Sequence, residues 1–185
     1  MTRPGPHCIA TITGRVVDLA APTPDMIDIE DIAHALANLC RYNGHVEYAY
    51  SVAQHSCLVH DVLDEWCGET GPAFDGLMHD AAEAYIGDVS TPMKRLLSGR
   101  HLTHALSLIE TDLNFAIMAA FDLDIDWAAV KDADQLLYAW ERRDVAHVPG
   151  IWDVPADLVL PDQVITPWPA AQAKAEFLER FRKYR

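Results

Sequence analysis

Positive charge is scarce in this chain: 14 Lys and Arg stand against 28 Asp and Glu, for a formal net charge of −14. Such an excess repels a phosphate backbone or an anionic lipid surface, so neither a nucleic-acid polymer nor a membrane is an expected partner. Long apolar runs are also missing. The longest is the seven residues Phe115 to Phe121, closed by Asp122, well short of the ~18 needed to cross a bilayer. The opening Met-Thr-Arg-Pro-Gly-Pro-His lacks the apolar core and small-residue cleavage site of a secretory leader, so a cytoplasmic location is expected. Cysteines are few, at 8, 40, 57 and 67, with no Cys-x-x-Cys pair. This excludes a zinc ribbon and a dithiol redox site, and reduced, mostly buried thiols are expected. On a helix, Cys57 and Cys67 would lie too many turns apart to form a disulfide. There is no internal repeat.

What remains is a chain of 185 residues, half of them hydrophobic, which fits one domain on a prior of roughly 150 residues per domain. Residues 8–19 hold two short β-favouring runs around Gly14-Arg15 and predict a small hairpin or extended arm. From Asp28 a helix is signalled by Ile29, Ile32, Ala33, Leu36 and Cys40 at three- and four-residue steps, stopping near Asn43-Gly44. A second, over 51–66, places Val52, His55, Val59, Val62, Leu63 and Trp66 on one stripe. A third runs over 73–85 and ends at Gly87, with 88–94 as a loop. Helices follow over 102–121, with apolar positions 102, 105, 109, 113, 116, 117 and 120, and after Asp126, with Val130, Ala133, Leu137 and Tyr138. Proline-rich residues 147–169 read as a wrapping loop anchored by Trp152 and Trp168. A last helix over 169–184 presents Ala173, Phe177 and Phe181. The fold class expected is all-α: one compact helical domain, 1–185, with a short N-terminal hairpin.

Chemistry is suggested by polar residues on inward faces. His55 lies on an apolar stripe, His79-Asp80 begin a polar cluster with Glu83 one turn on, and Asp134 lies within the stripe of its own helix. Buried acids are costly without a counter-charge. Two imidazoles and two carboxylates make a set that suits a first-row divalent metal: Mn, Co, Zn, Fe or Ni. Separately, each residue is also explained by a solvated helix face or a satisfied core position. His45, His60, His101 and His104 fit no such cluster and read as structural or surface residues, although His101 and His104, three apart, could bind a stray metal.

The order His55, His79-Asp80, Asp134 resembles the His…His-Asp…Asp signature of the HD-domain metal-dependent phosphohydrolases. The segment HDAAEAYIGDVSTPMK, residues 79–94, is similar to the H-D-A-x-E-x-x-x-G-D-x-x-T-P-x-K segment of bacterial HD 5′-deoxynucleotidases. SVAQHS at 51–56 resembles their first-histidine helix, and KDAD at 131–134 their last-ligand segment. Together these cover about residues 29–145. The resemblance implies His55, His79, Asp80 and Asp134 as metal ligands, Glu83 orienting or deprotonating the attacking water, and Asp88 assisting at the phosphate or at a further Mg or Co ion. Arg41-Tyr42 occupies the place of an Arg-Trp pair that grips phosphate and crowds the sugar 2′ position. Tyrosine replaces tryptophan here, which weakens strict selection for deoxyribose. Lys94 matches a lysine that would be a second phosphate cation.

The implied activity is hydrolysis of a nucleoside phosphate by water activated at the metal, of the 5′-deoxynucleotidase type. Phage dATP-removing enzymes with similar motifs release triphosphate instead, and a non-catalytic HD module holding metal or nucleotide is the contrasting reading. The expected partner is a small nucleotide, with homo-oligomer formation left open.

Overall fold

Short β-branched runs flanking a glycine favour a hairpin, and the computed structural model, which describes residues 4–68, 72–100, 102–146 and 159–185, has one there. Strand β1 (Cys8–Ala10) pairs antiparallel with β2 (Val16–Asp18), Ile9 opposite Val17. Gly14 turns the chain at φ 87°, a conformation that a side chain would strain. Beside it, Thr13 donates from its backbone N–H and its hydroxyl to the two oxygens of Asp31, at 2.9 and 2.7 Å. The hairpin tip is thereby tied to the first helix, and Val17 is buried in the core.

The other regular elements among the described residues are helical: α1 (Ile29–Asn38), α2 (Val52–Cys67), α3 (Ala73–Met78), α4 (Glu83–Ile86), α5 (Thr91–Gly99), α6 (Thr103–Ala120), α7 (Trp127–Asp144) and α8 (Ala170–Arg182), with 3-10 turns at Pro24–Met26 and Arg41–Gly44. The architecture is all-α with a small N-terminal hairpin. Side-chain caps start three of the helices: Asp28 accepts from Glu30 N, Ser51 from Gln54 N and Asp126 from Ala128 N and Ala129 N.

Helix α2 is the axis of the fold. It packs against α1, α3, α7 and α8 and separates two apolar clusters. One holds Ile32, Leu36, Leu77, Leu113, Ile117 and Phe177; the other holds Val59, Leu63, Val130, Leu137 and Trp140. A helix covered on both sides must satisfy its polar groups internally. Gln54 does so by donating to Thr166 O at 2.9 Å and accepting from Trp168 N at 2.8 Å, which holds the segment before α8 against the core.

Several boundaries differ from those expected. Helix α1 ends at Asn38, before Asn43-Gly44, because the chain leaves it to pair with the approach to α2. Cys40 bridges Ser51, Arg41 N–H donates to Tyr50 O at 2.8 Å and Val52 N–H to Leu39 O at 3.0 Å. The helix expected over 73–85 is interrupted between α3 and α4 by three-residue hydrogen bonds, Ala81 N to Met78 O and Glu83 N to Asp80 O. The loop expected over 88–94 is already helical from Thr91, with Pro92 in the first turn, where its missing N–H costs nothing. Trp66 is 52% exposed despite its place on the α2 stripe; Leu102, just before α6, and Ala105 and Ile109 on it are exposed, while Leu113, Ala116 and Ile117 are buried. Tyr138 of α7 is exposed, and of the cysteines, all free, only Cys57 is buried. Residues 147–158, with Trp152, and His101 lie outside the described residues; over 159–169 there is neither strand nor helix before α8. No described helix is long and apolar enough to cross a membrane.

Candidate metal centre

The site forms where α2, the α3–α4 break and α7 meet beneath the 41–44 turn. Helix α2 carries His55 with no exposed surface. Its Nδ1 lies 2.6 Å from Glu141 Oε1 on α7. Glu141 is held down to a pKa of about 2: burial opposes ionisation, but the Arg41 charge and the His55 contact outweigh it. An ionised carboxylate only accepts, so Nδ1 carries the proton. His79, at the end of α3, sets its Nδ1 2.7 Å from Gly76 O, and a carbonyl likewise only accepts.

Both rings thus present Nε2 to the same place. His55 Nε2 stands 3.6 Å and His79 Nε2 3.2 Å from Asp80 Oδ2, and ligand atoms of these three residues lie within 4.8 Å of one another. Asp134 on α7 brings Oδ1 to 3.2 Å from His55 Nε2, with its side chain 41% exposed, so it borders the group from the solvent side rather than from within a buried stripe. His55 Nε2 is buried and makes no hydrogen bond among the described residues.

Convergence of two imidazole nitrogens on a carboxylate requires a proton or a cation between them. Burial and the Arg41 charge push the His55 imidazole down, but the carboxylates of Glu141 and Asp134 outweigh them and raise its pKa to about 9. Asp80, which burial would push up, is held well below the usual carboxylate range by His79, His55 and Arg41. Asp134 is lowered in the same way, its burial outweighed by His55 and His79. Two imidazoles fixed through Nδ1, an orphaned Nε2 and a carboxylate held ionised form a donor set that fits a divalent metal, which would take the place of the His55 proton.

The remaining residues singled out from the sequence surround this group. Glu83 opens α4, and its Oε2 is buried without a hydrogen-bond partner among the described residues; burial, then the charges of Asp80 and Asp88, push its pKa up to about 9. Asp88 is half-buried and also raised, by burial and by Asp80, against the nearby Arg41, His55 and Lys94. Arg41 places Nη1 3.6 Å from Asp80 Oδ2 and Nη2 3.3 Å from Glu141 Oε2. Its Nε is buried and has no hydrogen-bond partner among the described residues. Tyr42, at φ 57°, a left-handed conformation uncommon for a side-chain-bearing residue, donates its hydroxyl to Glu141 Oε2 at 2.6 Å. Lys94 pairs with Glu110 Oε1 of α6 at 3.3 Å, and Glu83 and Asp80 also act on its charge.

Two residues not singled out from the sequence belong here: Glu141, fully buried, and Tyr50, whose hydroxyl donates to Glu141 Oε1 at 2.8 Å. Glu141 had a legible signal, since it continues the buried α7 stripe of Val130, Ala133, Leu137 and Trp140 as a carboxylate among apolar positions. Tyr50 had none. Other described histidines singled out from the sequence stay apart. His60 is buried between Asp61 and the Tyr184 hydroxyl, and His45 and His104 are exposed.

No family model matches the chain. Two proteins resemble it over most of their length. The uncharacterized protein YfdR of Escherichia coli K12 is 34% identical over 179 residues, covering 94% of this chain and 93% of YfdR. The uncharacterized protein RCAP_rcc00048 of Rhodobacter capsulatus is 35% identical over 161 residues, covering 83% of this chain and 80% of its own. With 34% identity over 94% of this chain, the protein belongs to the family that includes YfdR.

Proposed function

We propose that the chain is a metal-dependent phosphohydrolase of the HD type acting on nucleoside phosphates, with (deoxy)nucleotides as substrates. The observation that carries this reading is the convergence of His55 Nε2 and His79 Nε2 on Asp80, with the unpartnered Glu83 carboxyl oxygen buried nearby. His55, His79 and Asp80 would hold the metal, with Asp134 completing the set from the solvent side. The His/Asp donors suit Mn, Co, Zn, Fe or Ni. When bound, such an ion acts as a Lewis acid on a phosphoryl oxygen and makes water nucleophilic near neutral pH.

The chain's own groups supply the rest. A cation held at Asp80 would offset the burial and the neighbouring carboxylates that raise the Glu83 carboxyl and favour its ionised form, whose oxygen, occupied by no described residue, is suited to taking a proton from water and returning it to the leaving oxygen. Arg41 lies beside Asp80 through a contact longer than a hydrogen bond, and its guanidinium can turn towards a phosphate once Asp80 is engaged by the metal. Lys94 adds a second cation on the same side, and Asp88 a carboxylate for a further ion or for the phosphate. These local cations offset the repulsion that a net charge of −14 exerts on an anionic substrate.

The test is release of phosphate or triphosphate from a panel of ribo- and deoxyribonucleoside mono- and triphosphates with Mn²⁺, Co²⁺ or Zn²⁺. Monophosphate cleavage is expected; triphosphate release would make the protein a dNTP triphosphohydrolase. No release above the metal-free control from any nucleotide would refute the hydrolase reading and leave a metal- or nucleotide-holding module.

A further inference from the structure

The centre contains a carboxylate that no ligand or proton-transfer role requires. Glu141 is fully buried on α7, and a buried acid is retained only where several groups pair with it. Its two oxygens have separate sets of partners. Oε1 lies 2.6 Å from His55 Nδ1 and accepts the Tyr50 hydroxyl at 2.8 Å. Oε2 takes the Tyr42 hydroxyl at 2.6 Å and faces Arg41 Nη2 at 3.3 Å. One side therefore touches the histidine of the metal group, and the other touches the Arg41-Tyr42 pair. The three hydrogen-bonding partners, His55, Tyr50 and Tyr42, lie 86 to 99 residues away along the chain.

We infer that Glu141 is the positioning residue of this centre: its Oε1 fixes His55 as the Nδ1–H tautomer, so that Nε2 is the metal-binding atom, while its Oε2 holds Arg41 and Tyr42 over the same site. The inference rests on the metal-centre reading of the preceding subsection. A histidine ligand whose second nitrogen donates to a carboxylate is fixed in ring orientation and is more basic at the ligating nitrogen. Arg41 and Tyr42 are set by the same α7 residue, so α7 fixes the spacing between the metal group and the substrate-facing pair. Tyr42 needs such a tether, since its left-handed backbone is costly unless its surroundings hold it.

Glu141→Gln tests this because an amide has only one acceptor oxygen for two sets of donors. The Arg41 charge selects that oxygen for the Oε2 side. The amide NH2 then faces His55 Nδ1, which must become the acceptor and move its proton to Nε2. Titration with Co²⁺ alone, followed by visible absorption, should give a dissociation constant roughly 10–100-fold weaker in Glu141→Gln than in wild type, the range of outer-shell substitutions. Circular dichroism checks the fold. In zinc-loaded wild-type protein with ¹⁵N-labelled histidine, His55 should carry its proton on Nδ1; this readout needs no variant and decides the matter if Glu141→Gln fails to fold. A Nε2–H tautomer, or a folded Glu141→Gln that binds Co²⁺ as tightly as wild type, would overturn the inference. Wild-type protein that does not bind Co²⁺ would overturn it together with the metal-centre reading. Weakened binding in the variant, with no nucleotide hydrolysed by wild type, would uphold Glu141 and remove the hydrolase reading alone.

Discussion

Gly76→Ala isolates how closely α3 must approach α2 for the centre to form. Gly76 lies inside α3, its carbonyl accepts the His79 Nδ1–H at 2.7 Å, and its φ is not positive, so alanine is tolerated by the backbone. On propensity alone, alanine would stabilise a helix interior by about 1 kcal/mol. The added Cβ, however, would sit 2.7 Å from Leu63 Cδ1, 3.0 Å from Val59 Cγ1 and 3.2 Å from the Val59 backbone carbon. Leu63 can turn its methyl aside. Val59 is β-branched with a stiff χ1, and the third contact is backbone, so relief requires α3 to move off α2. Overpacking of this kind costs about 1–3 kcal/mol, here in the upper half because main chain is involved. Offsetting about 1 kcal/mol of propensity leaves a net loss of about 1–2 kcal/mol. Urea denaturation with a common slope for both proteins measures it. The same shift moves the carbonyl that orients His79, so Co²⁺ affinity should fall as well. A Gly76→Ala protein at least as stable as wild type, with unchanged Co²⁺ affinity, would refute the argument that this contact sets the site.

Glu83→Ala should fold and retain metal by elemental analysis while losing roughly 10²–10⁴-fold in turnover, the range of a general acid–base group; near-normal turnover with metal bound would remove Glu83 from the mechanism. Tyr42→Ala should raise kcat/KM on ribonucleotides relative to matched deoxyribonucleotides by an amount worth about 1–3 kcal/mol, as expected for exclusion by shape, and an unchanged ratio would leave the Tyr42 ring a packing role beneath its bond to Glu141. Asp61, whose burial is outweighed by hydrogen bonds from Arg180 and His60, has its pKa held down to about 2, and Arg180 grips both its oxygens at 2.8 and 2.7 Å to dock α8 on α2. The folded-state pKa lies below the ordinary value of 3.8, so the stabilisation is present above about pH 4 and is lost as pH falls towards 2. Asp61→Asn should therefore be less stable than wild type at pH 5–7, with the gap closing between pH 4 and 2 in urea titrations, and a gap independent of pH would refute it.

The sequence by itself determined the helical class, the hairpin, most helix starts and the inward placement of His55. These follow from local rules: caps at Asp28, Ser51 and Asp126, and apolar spacing that repeats within a few turns. It also brought Asp80 and Asp134 to attention, with His79 beside Asp80, since carboxylates at positions read as inward conflict with the pattern around them. Tertiary structure alone decided how far each pattern extends and which groups meet. Helix α1 stops at Asn38 because Arg41 and Val52 take their hydrogen bonds across the turn, which no periodicity within α1 encodes. On α7, Asp134 and Glu141 are two turns apart on one side, yet Asp134 borders solvent while Glu141 is enclosed by Arg41, Tyr42, Tyr50 and His55. Hydrophobic spacing identifies the side of a helix that faces inward. How deeply each position lies depends on what the rest of the chain packs against it, and here that depends on a turn and a helix that the fold brings in from some 90 residues upstream of Glu141.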